Sequence, residues 1–223
     1  MRKKAAFALL WQTALIWAVL FLGWGLDDLR SFFSHPARLG LFGVAMLGTA
    51  YVLLAGLEVN PFRKGEKPVQ RQRWHLGSLM VLVLFFVWFL PYADRREIWT
   101  IGSGDPIRYA GLALNAGGTG IRLAALRTLG RHFSGYVTLQ TDHQLVQTGL
   151  YSLIRHPMYV GGLLAIPGLA LVFRSWLVVP MTLLGVLFLT LRIQKEEKLL
   201  AEHFGTEFAA YRQRTWRLLP FIY

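Results

Sequence analysis

The tripeptide Arg155-His156-Pro157 stands directly before a run of uncharged residues, 157–173, and is one of the most polar short stretches of the chain. Proline favours the first turn of a helix, so Pro157 predicts a helix start with His156 at its cap. The first turn presents unpaired N–H groups and partial positive charge, which suit a carboxylate or a phosphate. Local physics by itself favours a simpler interpretation, a basic cap at a membrane edge.

Two adjacent carboxylates, Glu196 and Glu197, follow Arg192 in a chain whose net charge is +12. Arg192 and Glu196 are four residues apart, so they share one face of a helix. The carboxylates then suit a cationic ligand, and the guanidinium suits an anionic one. Three tyrosines offer ring faces to a cation: Tyr151, Tyr159 and Tyr211. Taken singly, the two carboxylates are better explained by a solvated helix face, and each tyrosine by core or interface packing.

Several other chemistries are excluded or unsupported. The chain has no cysteine, which excludes disulfides, thiolate metal ligands and cysteine nucleophiles. Its histidines show no usual metal-ligand spacing, so no metal site is predicted. No Gly-x-Ser-x-Gly elbow occurs. The glycine-rich stretches at 102–104 and 118–120 neither follow a strand nor open a βαβ unit, so they do not indicate a dinucleotide site.

The elements that must position the polar residues are membrane helices. Hydrophobic residues make up 54% of the chain and charged residues 16%, a composition typical of membrane proteins. Six apolar spans are predicted: 5–26, 39–57, 76–93, 106–129, 157–173 and 175–191. Only Arg174 separates the last two, which predicts a tight helical hairpin that crosses all or part of the bilayer. The first span is predicted to stay uncleaved, because it is longer than a signal-peptide core.

The charge pattern predicts the orientation. Lys and Arg are more frequent before the first span and between the second and third spans than in the opposite loops, which places the N- and C-termini in the cytoplasm. The basic residues lie in short clusters between apolar runs, so they indicate lipid headgroups and not nucleic acid as the partner. Gly205 predicts the end of one helix, and Thr206 with Glu207 the start of a cytoplasmic amphipathic one.

The sequence therefore predicts an all-α, polytopic integral membrane protein with one domain over residues 1–223. Residues 1–105 are predicted to be scaffold helices, and residues 106–223 the working half, because polar residues enter at membrane depth there. Within the fourth span, the spacings Ala113-xxx-Gly117 and Ala116-xxx-Gly120 predict close packing against another helix.

Three stretches of the C-terminal half resemble the isoprenylcysteine carboxyl methyltransferase family and its bacterial relatives, in the wider group that includes phospholipid methyltransferases. They are LGRHFSGYV (129–137), HQLVQTGLYSLIRHPMYVGG (143–162) and RIQKEEKLLAEHFGTEFAAYRQRTWRLLPFIY (192–223). RHPxYxG is specific when a hairpin and an Arg-x-x-x-Glu-Glu tail follow it at this spacing. Phe208, where many relatives carry Tyr, and Trp216, which replaces a Val-Pro pair, depart from the pattern at packing positions.

The resemblance implies a methyltransferase of the bacterial inner membrane, with an S-adenosylmethionine pocket open to the cytoplasm and a lipophilic or lipidated substrate that enters from the bilayer. By position, Arg192 would orient the acceptor group. Glu196 or Glu197 would become a candidate base if the acceptor were an amine. The cofactor pocket would use His143, Leu145, Val146, Gly149, Tyr151, His156, Pro157, Tyr159, Gly161, Glu196 and Glu197.

Two other functions stay open at this point. A membrane sterol-type reductase that uses NADPH also carries an RHPxY-like segment and ends near Pro-x-Ile-Tyr, but its tail has a cysteine and Lys-Tyr-Gly where this chain has Glu196-Glu197 and Phe204-Gly205. A small transporter or membrane scaffold would need no nucleotide site. Within the methyltransferase interpretation, the acceptor is a prenyl thioether acid, a phospholipid amine or another lipid. The sequence predicts no oligomeric state.

Overall fold

The computed structural model describes residues 2–57, 72–102, 104–130 and 145–220. That part of the chain is helical, with two isolated β-bridges and no strand, which confirms the predicted all-α class. Its helices are α1 (Arg2–Trp24), α2 (Leu29–Ser34), α3 (Pro36–Leu54), α4 (Gln72–Arg95), α5 (Asp105–Leu129), α6 (Pro157–Val172), α7 (Val178–Phe204) and α8 (Thr206–Gln213). Short 3₁₀ turns cover Leu26–Asp28 and Gly149–Ser152.

Three described segments are long and apolar enough to cross a membrane: Ala5–Trp24, Pro36–Leu54 and Val178–Phe204. Helix α6 is apolar but has 16 residues, so at 1.5 Å per residue it is about 24 Å long, less than the ~30 Å of a hydrocarbon core. Helix α5 carries three arginines, Arg108, Arg122 and Arg127. The predicted membrane character is confirmed, while the count of six spans stays a prediction.

The hairpin of α6 and α7 begins and ends where local signals predict. Pro157 opens α6 and His156 is its N-cap. The turn between the two helices covers residues 173–177 and is longer than the single residue predicted. Helix α7 continues unbroken to Phe204, where Gly205 ends it at φ 50°, a conformation that glycine adopts without strain. The predicted carboxylates therefore lie on the same rigid helix as the hairpin.

Helices α5 and α6 are in the closest contact, and glycines allow it. Gly111 and Gly118 of α5 face Gly168 and Gly161 of α6, and a Cβ on Gly118 would lie 2.4 Å from the carbonyl oxygen of Gly161. The Asn115 amide donates to the Ala165 carbonyl oxygen at 2.9 Å. The Ala-xxx-Gly spacings predicted that the face of α5 with Gly117 and Gly120 packs closely against another helix. This prediction was wrong, because a Cβ on either glycine would meet nothing within 4 Å. Spacing cannot say which side of a helix meets its neighbour.

Gly118→Ala is expected to push α5 and α6 apart, because the new methyl group would meet backbone atoms of Gly161 and Ala165. Overpacking of this kind costs about 1–3 kcal/mol, which thermal unfolding in detergent measures. The matched control is Gly117→Ala on the next residue, where there is open space and the change should raise helix stability by up to ~1 kcal/mol. Equal effects of the two changes would contradict the observed packing.

The end of the bundle at which α6 terminates is fixed by a buried aspartate. Asp94, 3% exposed, accepts two hydrogen bonds from Arg108 at 2.7 and 2.9 Å and one from Arg174 at 3.1 Å. Arg38 lies 3.5 Å from the same carboxylate. The cluster joins α3, α4, α5 and the hairpin turn, and an aromatic core around Phe32 packs beside it. It was not predicted, because the partners are far apart in the sequence.

Candidate active site

The candidate site lies at the opposite end of the bundle, where α6 begins. Its centre is Glu197, 5% exposed. Oε1 of Glu197 accepts from Arg155 Nε at 2.9 Å and lies 3.3 Å from His156 Nε2, and Oε2 accepts from Arg217 at 2.7 and 3.1 Å. Both carboxylate oxygens are therefore occupied by cationic or ring N–H groups, and the carboxylate joins α7 to the start of α6 and to the C-terminal tail.

The tail is also held to the segment before α6 through the backbone. Arg155 N donates to the Trp216 carbonyl oxygen at 2.8 Å, and Trp216 N donates to that of Leu153 at 3.0 Å. Arg155 reaches further with Nη1, which donates to the carbonyl oxygens of Arg212 and Thr215. One side of the site is thus built by residues beyond α8, which the sequence did not predict.

Beside this cluster, Tyr159 connects Arg192 to Glu196. The Tyr159 hydroxyl donates to Glu196 Oε2 at 2.6 Å and accepts from Arg192 Nε at 2.8 Å. Its ring stacks on that of His156, with centroids 5.5 Å apart and planes 20° apart. Glu196 is half-buried. Four residues that the sequence singled out for chemistry are therefore brought together by the start of α6 and one face of α7.

The two His-Pro pairs of the chain differ in how the histidine is used. Each opens a helix, but His35 caps α3 by accepting the Ala37 N–H at Nδ1, 3.1 Å away. The His156 side chain makes no such cap bond and turns to Glu197. The N-cap side chain therefore takes none of the first-turn N–H groups of α6, and the partial positive charge of this helix start suits an anionic group.

Tyr151 lies on the 3₁₀ turn that precedes α6 and is buried. Its carbonyl oxygen accepts a 2.7 Å hydrogen bond from the Tyr211 hydroxyl of α8. Burial, and next the Glu196 carboxylate, raise the pKa of Tyr151 far above its ordinary value, and burial raises the pKa of Tyr211 to about 12. Both phenols therefore stay neutral and offer a ring wall and hydrogen bonds, not an anion.

The remaining predicted pocket residues have different surroundings. Leu145 and Val146 are half-buried in the irregular segment before the 3₁₀ turn Gly149–Ser152. Gly149 faces Thr128 of α5. Pro157 is buried, and Gly161 lies against α5. His143 lies outside the described residues. Their assignment to a cofactor pocket stays a prediction.

Arg217 and Arg155 are the contributors that sequence reasoning missed as partners of Glu197. Arg155 was noted only as part of a basic cap, and Arg217 is separated from Glu197 by two helix ends, so no periodic pattern links them. Within the part of the chain that the structure describes, no group of three His, Asp or Glu side chains is placed to hold a metal ion.

The residue types at this site fit S-adenosylmethionine. Its sulfonium cation needs a carboxylate, its amino-acid carboxylate needs donors or a helix start, and its adenine needs apolar and aromatic walls. The half-buried Glu196, the start of α6 and the Tyr151 and Tyr159 rings are the groups that would answer these three needs.

Comparison with known proteins agrees with this chemistry. A family model described as phospholipid methyltransferase matches residues 107–207. A protein of Oryza sativa subsp. indica named "Probable protein-S-isoprenylcysteine O-methyltransferase" is 30% identical over 198 residues, which are 83% of this chain and 97% of the relative. The protein-S-isoprenylcysteine O-methyltransferase of Tribolium castaneum is 26% identical over 97% of this chain and 77% of its own length.

A solved structure is also similar. It is that of the eukaryotic intramembrane Ras methyltransferase ICMT, an isoprenylcysteine carboxyl methyltransferase. The TM-score is 0.58 at 26% sequence identity, and the match covers 94% of this chain and 75% of that one. The similarity extends over the helices before residue 106, where the sequence motifs gave no match.

Proposed function

The chain belongs to the family of protein-S-isoprenylcysteine O-methyltransferases, and on that basis we propose that this membrane methyltransferase moves a methyl group from S-adenosylmethionine to the carboxylate of an S-isoprenylcysteine. The observation that carries the proposal is the Arg192–Tyr159–Glu196 chain of hydrogen bonds. In this chain of bonds, Arg192 suits the anionic acceptor and Glu196 suits the cationic donor, and the two residues lie one turn apart on α7. Methyl transfer requires such a pair within reach of each other.

The donor side of the site consists of Glu196, the start of α6 and the tyrosine rings. S-adenosylmethionine, when bound, supplies an electrophilic methyl group on its sulfonium. The Glu196 carboxylate would attract the sulfonium cation of the cofactor. The Tyr159 hydroxyl donates a 2.6 Å hydrogen bond to this carboxylate and fixes its position. The stacked rings of His156 and Tyr159 form the adjoining wall.

The acceptor side consists of Arg192. A guanidinium is a planar fork of donors that matches a carboxylate, and the bond from Nε to Tyr159 fixes its direction. A carboxylate is already ionised at neutral pH, so it attacks without a general base. Glu196 is therefore assigned to charge stabilisation, and its role as a base would arise only with an amine acceptor.

Glu197 is assigned a different role from its neighbour. Its two oxygens are taken up by Arg155, His156 and Arg217, which supports a positioning role for Glu197, with His156 as the residue it positions. The predicted direct contact of Glu197 with the cofactor is therefore not part of the proposal.

The proposed domain plan and orientation follow the sequence. Residues 106–223 form the methyltransferase core, which the family model over residues 107–207 supports. The distribution of Lys and Arg supports N- and C-termini in the cytoplasm, and the location proposed is the bacterial inner membrane. The methyltransferase names of the relatives favour this function over the reductase and the transporter.

Calorimetry of the purified protein in detergent tests the donor. The wild type is expected to bind S-adenosylmethionine and its demethylated product in the micromolar range. Glu196→Gln is expected to weaken binding about 10- to 100-fold, because a charged partner is worth roughly 1.5–3 kcal/mol. The control is Glu202→Gln on the same helix, where the carboxylate is 62% exposed and lies 4.0 Å from Lys198. Binding of NADPH in place of S-adenosylmethionine would overturn the proposal and support the reductase.

Labelled cofactor identifies the acceptor. With a farnesylcysteine analogue, we expect a labelled product that releases methanol in mild alkali, because a methyl ester hydrolyses and a methylated amine does not. Alkali-stable label in a phospholipid fraction would instead assign the chain to amine methylation.

A further inference from the structure

A basic hollow lies beside the candidate active site, between the start of α6 and the chain that follows α8. Its volume is about 610 Å³, and four of its lining residues are arginines: Arg155, Arg212, Arg214 and Arg217. Trp216 lines the same hollow. No step of the proposed methyl transfer uses this space.

The charges of the hollow are only partly balanced. Arg155 and Arg217 share the Glu197 carboxylate. Arg214 donates to the amide oxygen of Gln147, which carries no charge. The exposed Arg212 guanidinium makes no hydrogen bond or ion pair within the described segments. Two guanidinium groups therefore face the hollow without a carboxylate from the described residues, which favours an anionic occupant.

The hollow lies beside the start of an apolar helix. Arg155 is two residues before the start of α6, and the helix that follows is apolar. Around the hollow, large apolar side chains are exposed: Leu153 by 54%, Trp216 by 39% and Leu219 by 50%. Tryptophan with neighbouring cations is typical of the membrane–water interface.

We propose that the basic hollow binds the phosphate headgroup of an anionic phospholipid, with Arg212 and Arg214 as the phosphate-binding residues. Planar guanidinium groups bind phosphate oxygens through paired hydrogen bonds. The exposed leucines and the tryptophan then contact the upper part of the acyl chains, as expected for an amphiphile and not for a free ion. Arg212 and Arg214 have no role in the proposed methyl transfer, so the proposal does not depend on the proposed function.

Lipid titration of the purified protein in an uncharged detergent tests this site. Phosphatidylglycerol is expected to raise the Tm and to remain bound in native mass spectrometry, whereas phosphatidylcholine with the same acyl chains is not. Arg212→Gln with Arg214→Gln is expected to weaken phosphatidylglycerol binding roughly fivefold for each arginine, from about 1 kcal/mol per basic residue near an anionic surface. Binding to the wild type should also weaken as NaCl is raised.

The control is Arg30→Gln, an exposed arginine on α2 at the other end of the bundle, which should leave the lipid preference intact. Size-exclusion chromatography and circular dichroism show whether the double variant is folded. If the double variant does not fold, weaker phosphatidylglycerol binding by Arg212→Gln alone supports the site. Equal binding of the two lipids, or unchanged preference in the double variant, would overturn the proposal. So would an equal rise in Tm with inorganic phosphate alone, which would assign the hollow to a free anion.

Discussion

Arg192→Ala is expected to lower kcat by about 10²-fold, the loss that follows when a reacting group is misplaced by about 1 Å. The guanidinium of Arg192 is oriented by Tyr159, and without it the acceptor carboxylate loses both its partner charge and its direction of attack. The affinity for S-adenosylmethionine is expected to be largely retained, because Glu196 keeps its own bond to Tyr159. Turnover with a farnesylcysteine analogue and calorimetry with the cofactor measure the two effects separately.

Two controls define the role of Arg192. Arg192→Lys keeps the charge and removes the planar fork, so it should recover only part of the activity. Lys195→Ala removes an exposed cation one turn away on α7 and should leave kcat close to that of the wild type. If Arg192→Ala weakens cofactor binding as much as turnover, Arg192 belongs to the cofactor pocket and the assigned role is wrong.

Asp94→Asn is expected to be the most destabilising single change at the other end of the bundle. It leaves Arg108, Arg174 and Arg38 buried around a neutral amide. Removing one partner of a buried charge cluster typically costs about 3–5 kcal/mol, because the remaining charges stay desolvated without compensation. Thermal unfolding in detergent measures the loss, and the yield of folded protein should fall with it.

Asp27→Asn is the matched control for Asp94→Asn. Asp27 also pairs with an arginine, Arg95, at 2.5 Å, but its side chain is 71% exposed, so water screens the pair and the change should have little effect on Tm. The folded fraction of Asp94→Asn should keep the KM of the wild type, because the cluster is far from the site. A Tm close to that of Asp27→Asn would contradict the role assigned to Asp94.

Some of the site was predictable because its signals are local. Pro157 marks a helix start and Gly205 a helix end through backbone restrictions that act within a few residues. The spacing of Arg192 and Glu196 needs only the 3.6-residue period of a helix to place both on one face. These features, together with RHPxYxG, were enough to predict the function class.

The roles of Glu196 and Glu197 were not predictable in the same way. Adjacent residues on a helix point about 100° apart, so the rotation of α7 against α6 decides which one meets Tyr159 and which one meets Arg155 and Arg217. The same rotation decides that Gly118 and not Gly117 faces α6. The two glutamates are adjacent in the sequence, and so are the two glycines, so no sequence pattern shows which member of each pair faces α6.

The sequence by itself determined the membrane class, the starts of α6 and α8 and the end of α7, because these depend on composition and on short-range backbone rules. Only the tertiary structure decided the partners: Arg217 with Glu197, Tyr159 between Arg192 and Glu196, and three arginines around Asp94. These pairings depend on how each helix is rotated and how far it slides along its neighbour, and glycine contacts and buried charges set both only after the chain has packed.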